Sequence, residues 1–239
     1  MISKTRKLSR QRGSTRWRFL LVGMLALGCL AAAGEAWAQT AQGQTKMSAA
    51  DVAAKVDRHY NALHSLEVHF VQTYTGMGMN RRESGVLLLK KPGKMRWTYT
   101  DPDGKLFVLD GKDGYFYSPG EPEAQKVAEK KLDDLRSPLQ FLLGRTELEK
   151  ELTGLHVSCG GDGTCELAGV PKGLEQRVSS LEIKAAADGT IRSMTIDETD
   201  GVTNHFEFSG EAQNVPAPNT AFIFVPPPGA HVVEGEPPV

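Results

Sequence analysis

The sequence predicts an α+β protein in which one long antiparallel sheet, rolled into a barrel or half-barrel, is covered by two or three helices. Three observations predict this class. Apolar residues recur at helical spacing near residue 50, they alternate from Leu66 onward, and six Asp-Gly pairs follow, at 103–104, 110–111, 113–114, 162–163, 188–189 and 200–201. Asp-Gly between apolar runs favours tight hairpins because glycine accepts positive φ at little cost.

The first 38 residues are expected to be a secretory signal peptide. Seven Lys and Arg residues precede an apolar stretch at 19–33, and the small-x-small site Ala36-Trp37-Ala38 stands just before Gln39. This order is typical of a cleaved export signal, and the apolar run is shorter than the roughly 20 residues of a spanning helix. A rival interpretation uses Cys29, which follows a loose, imperfect lipobox and would then be acylated.

Removal of this leader would leave a single domain, residues 39–239, with an acidic surface. The whole chain has 28 Lys and Arg and 29 Asp and Glu; the leader holds seven basic residues and one acid, which leaves 21 against 28, a net charge of −7. That sign argues against nucleic acid as a partner and against adsorption to anionic lipid head groups. In an oxidising compartment Cys159 and Cys165 are expected to pair and to pin a hairpin turn.

The first mature element is a helix at about 48–63. Ser48 is its expected N-cap, with Asp51 as the acidic half of a capping box, and apolar residues follow at helical spacing. From Leu66 the period becomes two. Short strands are then predicted at 66–70, 86–89, 95–99, 106–109, 115–117, 155–158, 165–168, 178–185, 191–197, 205–208 and 222–225.

Residues 131–152 are the exception and are predicted to be helical. Ser137-Pro138 would begin one helix, which Gly144 ends, and Thr146 would cap a second, charged piece at 147–152. The Pro-rich tail cannot continue a hydrogen-bonded ladder. It is therefore expected to cross the surface in extended form.

No arrangement of residues typical of an enzyme stands out. The G-x-S-x-G, H-E-x-x-H and Walker A motifs do not occur in the sequence. Histidines 59, 64 and 69 recur every five residues, a spacing that does not bring them to one helical face. Turns and solvated faces explain the paired carboxylates. We therefore expect no catalytic residue, no metal and no cofactor.

Several blocks, in order along the chain, resemble the family of outer-membrane lipoprotein carriers (LolA). The first is GVLLLKKPGKMRWTY at 85–99, in which a glycine-led strand ends in a basic pair and proline and an aromatic-rich strand returns. The later blocks lie at 102–119, 137–143, 188–191 and 222–229. Together with the helix at 48–63, the resemblance covers nearly the whole mature chain.

The resemblance implies an incomplete antiparallel barrel that encloses an apolar cavity. Such a monomeric carrier takes acylated lipoproteins from an inner-membrane ABC transporter, ferries them across the periplasm and delivers them to an outer-membrane acceptor. Alternation assigns inward faces, and so the cavity wall, to Leu87, Leu89, Met95, Trp97, Tyr99, Leu106, Val108, Tyr115, Tyr117, Phe206, Phe208, Phe222 and Phe224. The lid would present Val52, Val56, Tyr60, Leu139, Leu142 and Leu143. Ordinary core packing is the alternative for every one of these residues.

One position departs from the family pattern. The family commonly carries Arg immediately before the proline of the first block, where it hydrogen-bonds to lid backbone and helps closure. Here that position is Lys91, with Lys90 beside it. Lysine keeps the charge but loses the planar fork of donors, so we expect Lys91 to serve as a weaker latch.

Three alternatives stay open. An anchored outer-membrane acceptor of the same pathway (LolB-like) shares the fold, and an acylated Cys29 would support it. A second alternative is another binding module on this fold, such as a periplasmic glycolipid carrier or a stress sensor. The third is a periplasmic hydrolase.

Overall fold

The computed structural model describes residues 47–128 and 145–235. The expected signal peptide with Cys29 lies outside these described residues, as do Leu139, Leu142 and Leu143 of the expected lid and Gly144. Within the two described ranges, no helix is long and apolar enough to cross a membrane.

Twelve strands form one sheet. In chain order they are β1 (Ser65–Gly76), β2 (Met79–Lys90), β3 (Lys94–Asp101), β4 (Asp103–Leu109), β5 (Asp113–Tyr117), β6 (Glu123–Ala128), β7 (Leu152–Cys159), β8 (Cys165–Pro171), β9 (Val178–Ala185), β10 (Ile191–Glu198), β11 (Thr203–Gln213) and β12 (His231–Glu234). Their order across the sheet is β12-β6-β5-β4-β3-β2-β1-β11-β10-β9-β8-β7. All neighbours are antiparallel except β12 and β6, which are parallel. Among the described strands, β12 and β7 stand at the two edges, so the sheet is open.

The helix α1 (Ala49–Asn61) begins as the sequence predicts. Ser48 and Asp51 form a capping box, in which the Ser48 hydroxyl accepts from the Asp51 N–H at 3.1 Å and the Asp51 carboxylate accepts from the Ser48 N–H at 3.1 Å. Its apolar stripe is buried at Val52, Ala53, Val56 and Tyr60. We call the face of the sheet that packs with this stripe the inner face.

The inner face is curved. Trp97 on β3 and Phe206 on β11 are three strand steps apart, which is about 14 Å in a flat sheet. Their ring centroids are nevertheless 5.8 Å apart. The sheet therefore wraps toward its inner side, and the coarse prediction of an open, rolled antiparallel sheet is confirmed.

The predicted inward faces of β4 and β5 are wrong by one residue. The register pairs Trp97 with Phe107 and Phe107 with Phe116, so these residues and Leu109 point inward. Leu106, Val108, Tyr115 and Tyr117 lie on the outer face. The error has a physical cause: both strands are apolar on both sides, so alternation cannot choose a face.

The second apolar side of these strands exists because the C-terminal segment covers it. A 3₁₀ helix (Asn219–Phe222) contacts β3, and Phe222 is buried there. The Tyr115 and Phe224 rings stack with centroids 5.1 Å apart, and the Arg96 guanidinium donates to the Ala221 carbonyl at 3.2 Å. Phe222 and Phe224 therefore face the outer side of the sheet, and the predicted strand at 222–225 is wrong.

Three further differences concern other elements. β6 was not predicted, and β12 shows that the tail pairs with the sheet at His231–Glu234, between its prolines. The helix α2 spans a single turn (Leu148–Glu151) with Glu147 as its N-cap, so neither the Thr146 cap nor helix at Leu152 is observed. Thr146 is buried, and its hydroxyl lies 3.2 Å from the Asn61 side-chain oxygen.

The hairpin turns largely follow the Asp-Gly pairs. Those at 110–111, 162–163, 188–189 and 200–201 lie in or beside turns between strands, whereas Asp113 and Gly114 lie inside β5. Cys159 and Cys165 form the expected disulfide at the end of the β7–β8 hairpin.

The buried outer cover should contribute to stability. We expect Phe222→Ala to lower the free energy of unfolding by about 3–4 kcal/mol, because it leaves a cavity in a fully buried site. Ile223→Ala is the matched control, since the Ile223 side chain is 56% exposed. Urea unfolding of the two variants compares them directly. If Phe222→Ala lowers the free energy of unfolding as little as an exposed position is expected to, the C-terminal segment is not part of the folded core.

Candidate functional site

An aromatic cluster fills the middle of the inner face. The Phe70 ring meets Trp97 edge-on at 4.7 Å and Tyr99 at 5.1 Å between centroids, and Phe206 stacks with Phe208 at 6.1 Å. Gly85 lies opposite both Phe70 and Tyr99 on its neighbouring strands. A β-carbon at Gly85 would collide with the β3 backbone and touch the Phe70 ring. The glycine that leads the first sequence block therefore makes room for the rings.

The structure brings seven of the predicted cavity residues together on this face. They are Leu87, Leu89, Met95, Trp97, Tyr99, Phe206 and Phe208, and all are buried. The other six lie on the outer face or in the segment that covers it, as described above. They are therefore not candidates for the same site.

A small pocket opens at one end of the cluster, beneath the C-terminal end of α1. It is lined by Tyr60, Leu66, Val68, Leu87, Ile191, Phe208 and Glu211. These residues belong to α1 and to four adjacent strands, β2, β1, β11 and β10. Its empty volume is about 250 Å³, and because this figure includes solvent-open space the enclosed part of the pocket is smaller still.

The predicted latch residue Lys91 touches the helix above this pocket. Its ammonium donates to the Tyr60 carbonyl oxygen at 2.9 Å, and its backbone N–H donates to the His64 carbonyl at 2.9 Å. Partial burial lowers the pKa of Lys91. The last turn of α1 is thus held by a cation from the residue that follows β2, and cations at a helix C-terminus are favourable.

A second polar contact joins α1 to the sheet, and the sequence did not suggest it. The Tyr60 hydroxyl donates to Glu211 Oε2 at 3.0 Å and accepts from the Ile191 N–H at 3.0 Å. His59 Nε2 lies 2.7 Å from Glu211 Oε1, and the Gln213 side-chain amide donates to the same oxygen at 3.0 Å. Burial, and then the Glu211 carboxylate, raise the pKa of the Tyr60 phenol, so it stays protonated and able to donate.

Alternation along β11 would place Glu211 outside, because Phe206 and Phe208 face inward. The register with β1 shifts between Glu67 and His69, and Gly210 takes a positive φ of 66° at this point. A bulge of this kind adds one residue and reverses the faces beyond it. Glycine within a strand pattern is the signal that could have revealed the inward carboxylate.

Polar side chains close the far end of the cluster. Glu83 is buried and binds Lys105 at 2.5 Å and Arg81 at 3.4 Å. The Lys105 ammonium also lies 4.5 Å from the centre of the Tyr99 ring, and the Tyr99 hydroxyl donates to Gln72 at 3.3 Å. The inner face is therefore apolar in its middle and polar at this end.

No candidate metal site occurs among the residues that the structure describes, since no three His, Cys, Asp or Glu side chains gather there. Of the three evenly spaced histidines, His59 contacts Glu211, whereas His64 and His69 are exposed. The described part of the site offers an apolar surface with a carboxylate at each end, Glu211 in the pocket and the buried Glu83 at the far end, and a helix that covers the pocket.

Known proteins resemble this chain over most of its length. The family model of the outer membrane lipoprotein carrier protein LolA matches residues 61–225. An outer-membrane lipoprotein carrier protein from Chromobacterium violaceum is 30% identical over 200 residues, covering 83% of this chain and 95% of the relative. A second such carrier protein, from Nitrosospira multiformis, is 32% identical over 168 residues, which cover 69% of this chain and 74% of the relative.

Among solved structures, a LolA superfamily protein from Nitrosomonas europaea matches with a TM-score of 0.41 and 12% identity, covering 75% of this chain and 99% of that one. Such a weak likeness is no evidence of shared function. The match to the family model over residues 61–225 and the 30% identity to a carrier protein over 200 residues are stronger findings. They show that this chain belongs to the LolA family of outer membrane lipoprotein carrier proteins.

Proposed function

We propose that this protein is a periplasmic carrier that binds the acyl chains of lipoproteins and releases them at the outer membrane. The observation that carries the proposal is the apolar inner face, where buried aromatic and aliphatic side chains lie under α1. Membership of the carrier family and the carrier names of its relatives support it. Carriage breaks no covalent bond, so this role needs no catalytic group.

The physical problem that such a carrier solves is the exposure of lipid to water. Each buried methylene contributes about 0.8 kcal/mol, so three acyl chains in water cost a few tens of kcal/mol. A soluble protein must offer an apolar surface large enough to cover them. It must also release them, so it should hold the acyl chains by apolar packing alone and enclose them under a cover that can move.

We assign the cover to α1. The pocket is too small for acyl chains while α1 lies on the sheet, so binding requires the helix to move and expose the inner face. The buried residues Val52, Val56 and Tyr60 on α1 would then be replaced by lipid. Leu87, Leu89, Met95, Trp97, Tyr99, Phe206 and Phe208 would form the wall that the lipid contacts.

Exchange with membranes needs partners at both ends of the route. We propose that an inner-membrane ABC transporter supplies the lipoprotein and that an outer-membrane acceptor receives it. The acceptor must bind the acyl chains more tightly than the carrier does, because transfer without an energy source follows the free-energy gradient.

The carrier proposal predicts release of lipoproteins from spheroplasts. The mature protein, added to spheroplasts that retain newly acylated lipoproteins, should bring them into the supernatant as a soluble one-to-one complex. Serum albumin, which binds acyl chains without docking to the transporter, serves as the control. Binding of an apolar dye without release would instead favour a glycolipid carrier or an anchored acceptor.

A second prediction concerns Lys91. We expect Lys91→Ala to weaken the closed form by about 1 kcal/mol through the lost hydrogen bond, and so to tighten binding of an apolar dye about fivefold. Lys90→Ala is the control, because Lys90 donates to Asn219 on the C-terminal segment. Unchanged rates of cargo uptake and release in Lys91→Ala would exclude the latch.

A third prediction concerns the N-terminus. We propose that residues 1–38 direct export and are removed, which leaves a freely diffusing domain of residues 39–239. Mass spectrometry of the protein recovered from the periplasm should find Gln39 as the first residue. A mass that corresponds to acylated Cys29 would mean that the protein is anchored and would favour the acceptor function.

A further inference from the structure

We infer that Glu211 and Tyr60 form a second latch, which holds α1 closed over the pocket in addition to the contact from Lys91. The inference rests on the proposed function, because it concerns how the same cover opens. It assigns a positioning role to a carboxylate that lies inside the candidate lipid site.

Glu211 lies inside the pocket. It is the charged side chain among the residues that line the pocket, next to Leu66, Val68 and Phe208. Its side chain is 9% exposed. A carboxylate in apolar surroundings is costly unless donors satisfy it, so its partners determine which conformation the protein favours.

Two of these partners belong to α1. The Tyr60 hydroxyl bonds to Oε2, and His59 contacts Oε1. Gln213, the third, lies on β11 with Glu211 itself. When α1 lifts, Glu211 keeps its own strand's contact and loses both contacts from the helix.

Lifting α1 also affects Ile191. Its buried N–H donates to the Tyr60 hydroxyl, and it loses this acceptor when α1 moves. Opening therefore removes two hydrogen-bond partners from the Glu211 carboxylate and the acceptor of the Ile191 N–H at the same time. This asymmetry favours the closed form until lipid or water enters the pocket.

Tyr60 takes part in both latch contacts that hold α1. Its carbonyl oxygen accepts from Lys91 after β2, and its hydroxyl bonds to Glu211 on β11 and Ile191 on β10. One residue thus fastens α1 to both sides of the pocket. Nearby, a β-carbon at Gly189 in the β9–β10 turn would collide with the Lys55 carbonyl of α1, so the helix backbone rests directly on that turn.

The test compares shape-conserving variants of the mature protein. Tyr60→Phe removes the hydroxyl, Glu211→Gln removes the charge, and the double variant combines them. Glu207→Gln is the matched control, because Glu207 lies on the same strand and is exposed. The two readouts are the dissociation constant of the apolar dye 1-N-phenylnaphthylamine and amide hydrogen exchange in α1 and in β9.

We expect Tyr60→Phe to tighten dye binding about fivefold, since a larger open fraction raises apparent affinity. Glu211→Gln should also tighten dye binding. The double variant should bind the dye more tightly than either single variant, but its fold-change should be smaller than the product of the two single fold-changes. Exchange should accelerate in α1 and stay unchanged in β9 and in Glu207→Gln. A merely structural role would instead accelerate exchange throughout and leave dye affinity unimproved.

Wild-type exchange rates in α1 for both Tyr60→Phe and Glu211→Gln would overturn the latch, whatever the dye does. Failure of the proposed function is separable from this result. If the wild-type protein neither binds dye nor releases lipoproteins, the carrier proposal fails, while faster exchange confined to α1 in the variants would still establish the latch.

Discussion

The pairing of β1 with β11 is the interaction on which the rest of this structure depends. It joins residues 66–75 to residues 203–213, and it connects the strands β1–β6 with the strands β7–β11 in one sheet. The pocket lies across this junction, with Leu66 and Val68 on one side and Phe208 and Glu211 on the other. Neither half of the sheet alone contains the site.

A carrier of this design balances two demands that oppose each other. The inner face must be apolar enough to hold lipid, yet the empty protein must not expose that face to water. The helix α1 meets the second demand with its own apolar stripe, and polar contacts at Lys91 and Glu211 fix its position. Asp57 and Asn61 also hydrogen-bond to the backbone of Leu148 and Thr146, so opening the cover either breaks these contacts or moves residues 146–148 with the helix.

Much of the fold follows from local sequence signals. Ser48 and Asp51 predict the start of α1, and the Asp-Gly turns and apolar alternation predict ten of the twelve strands in approximate position. Family resemblance adds Lys91 as a proposed latch, and its ammonium donates to the Tyr60 carbonyl. These features depend on neighbours in sequence or on a motif, so no tertiary information is needed to find them.

The failures share one cause, which is that a face of a strand is decided by what covers it. Leu106 and Val108 look like cavity residues because the cover formed by Phe222 and Phe224 lies more than a hundred residues away in sequence. Glu211 looks exposed because the bulge at Gly210 depends on register with β1. Periodicity describes a strand in isolation, whereas both of these outcomes are set by long-range pairing.

The same long-range pairing controls when the protein can fold. In the order of the chain β1 comes long before its partner β11, and β12, at residues 231–234, comes after all the other strands. Before the C-terminal segment is present, the outer sides of β3 to β5 lack their cover. Before β7 to β11 are present, the inner face lacks half of its strands. A chain that has not yet reached its C-terminal strands therefore leaves apolar surface uncovered on both faces of the sheet.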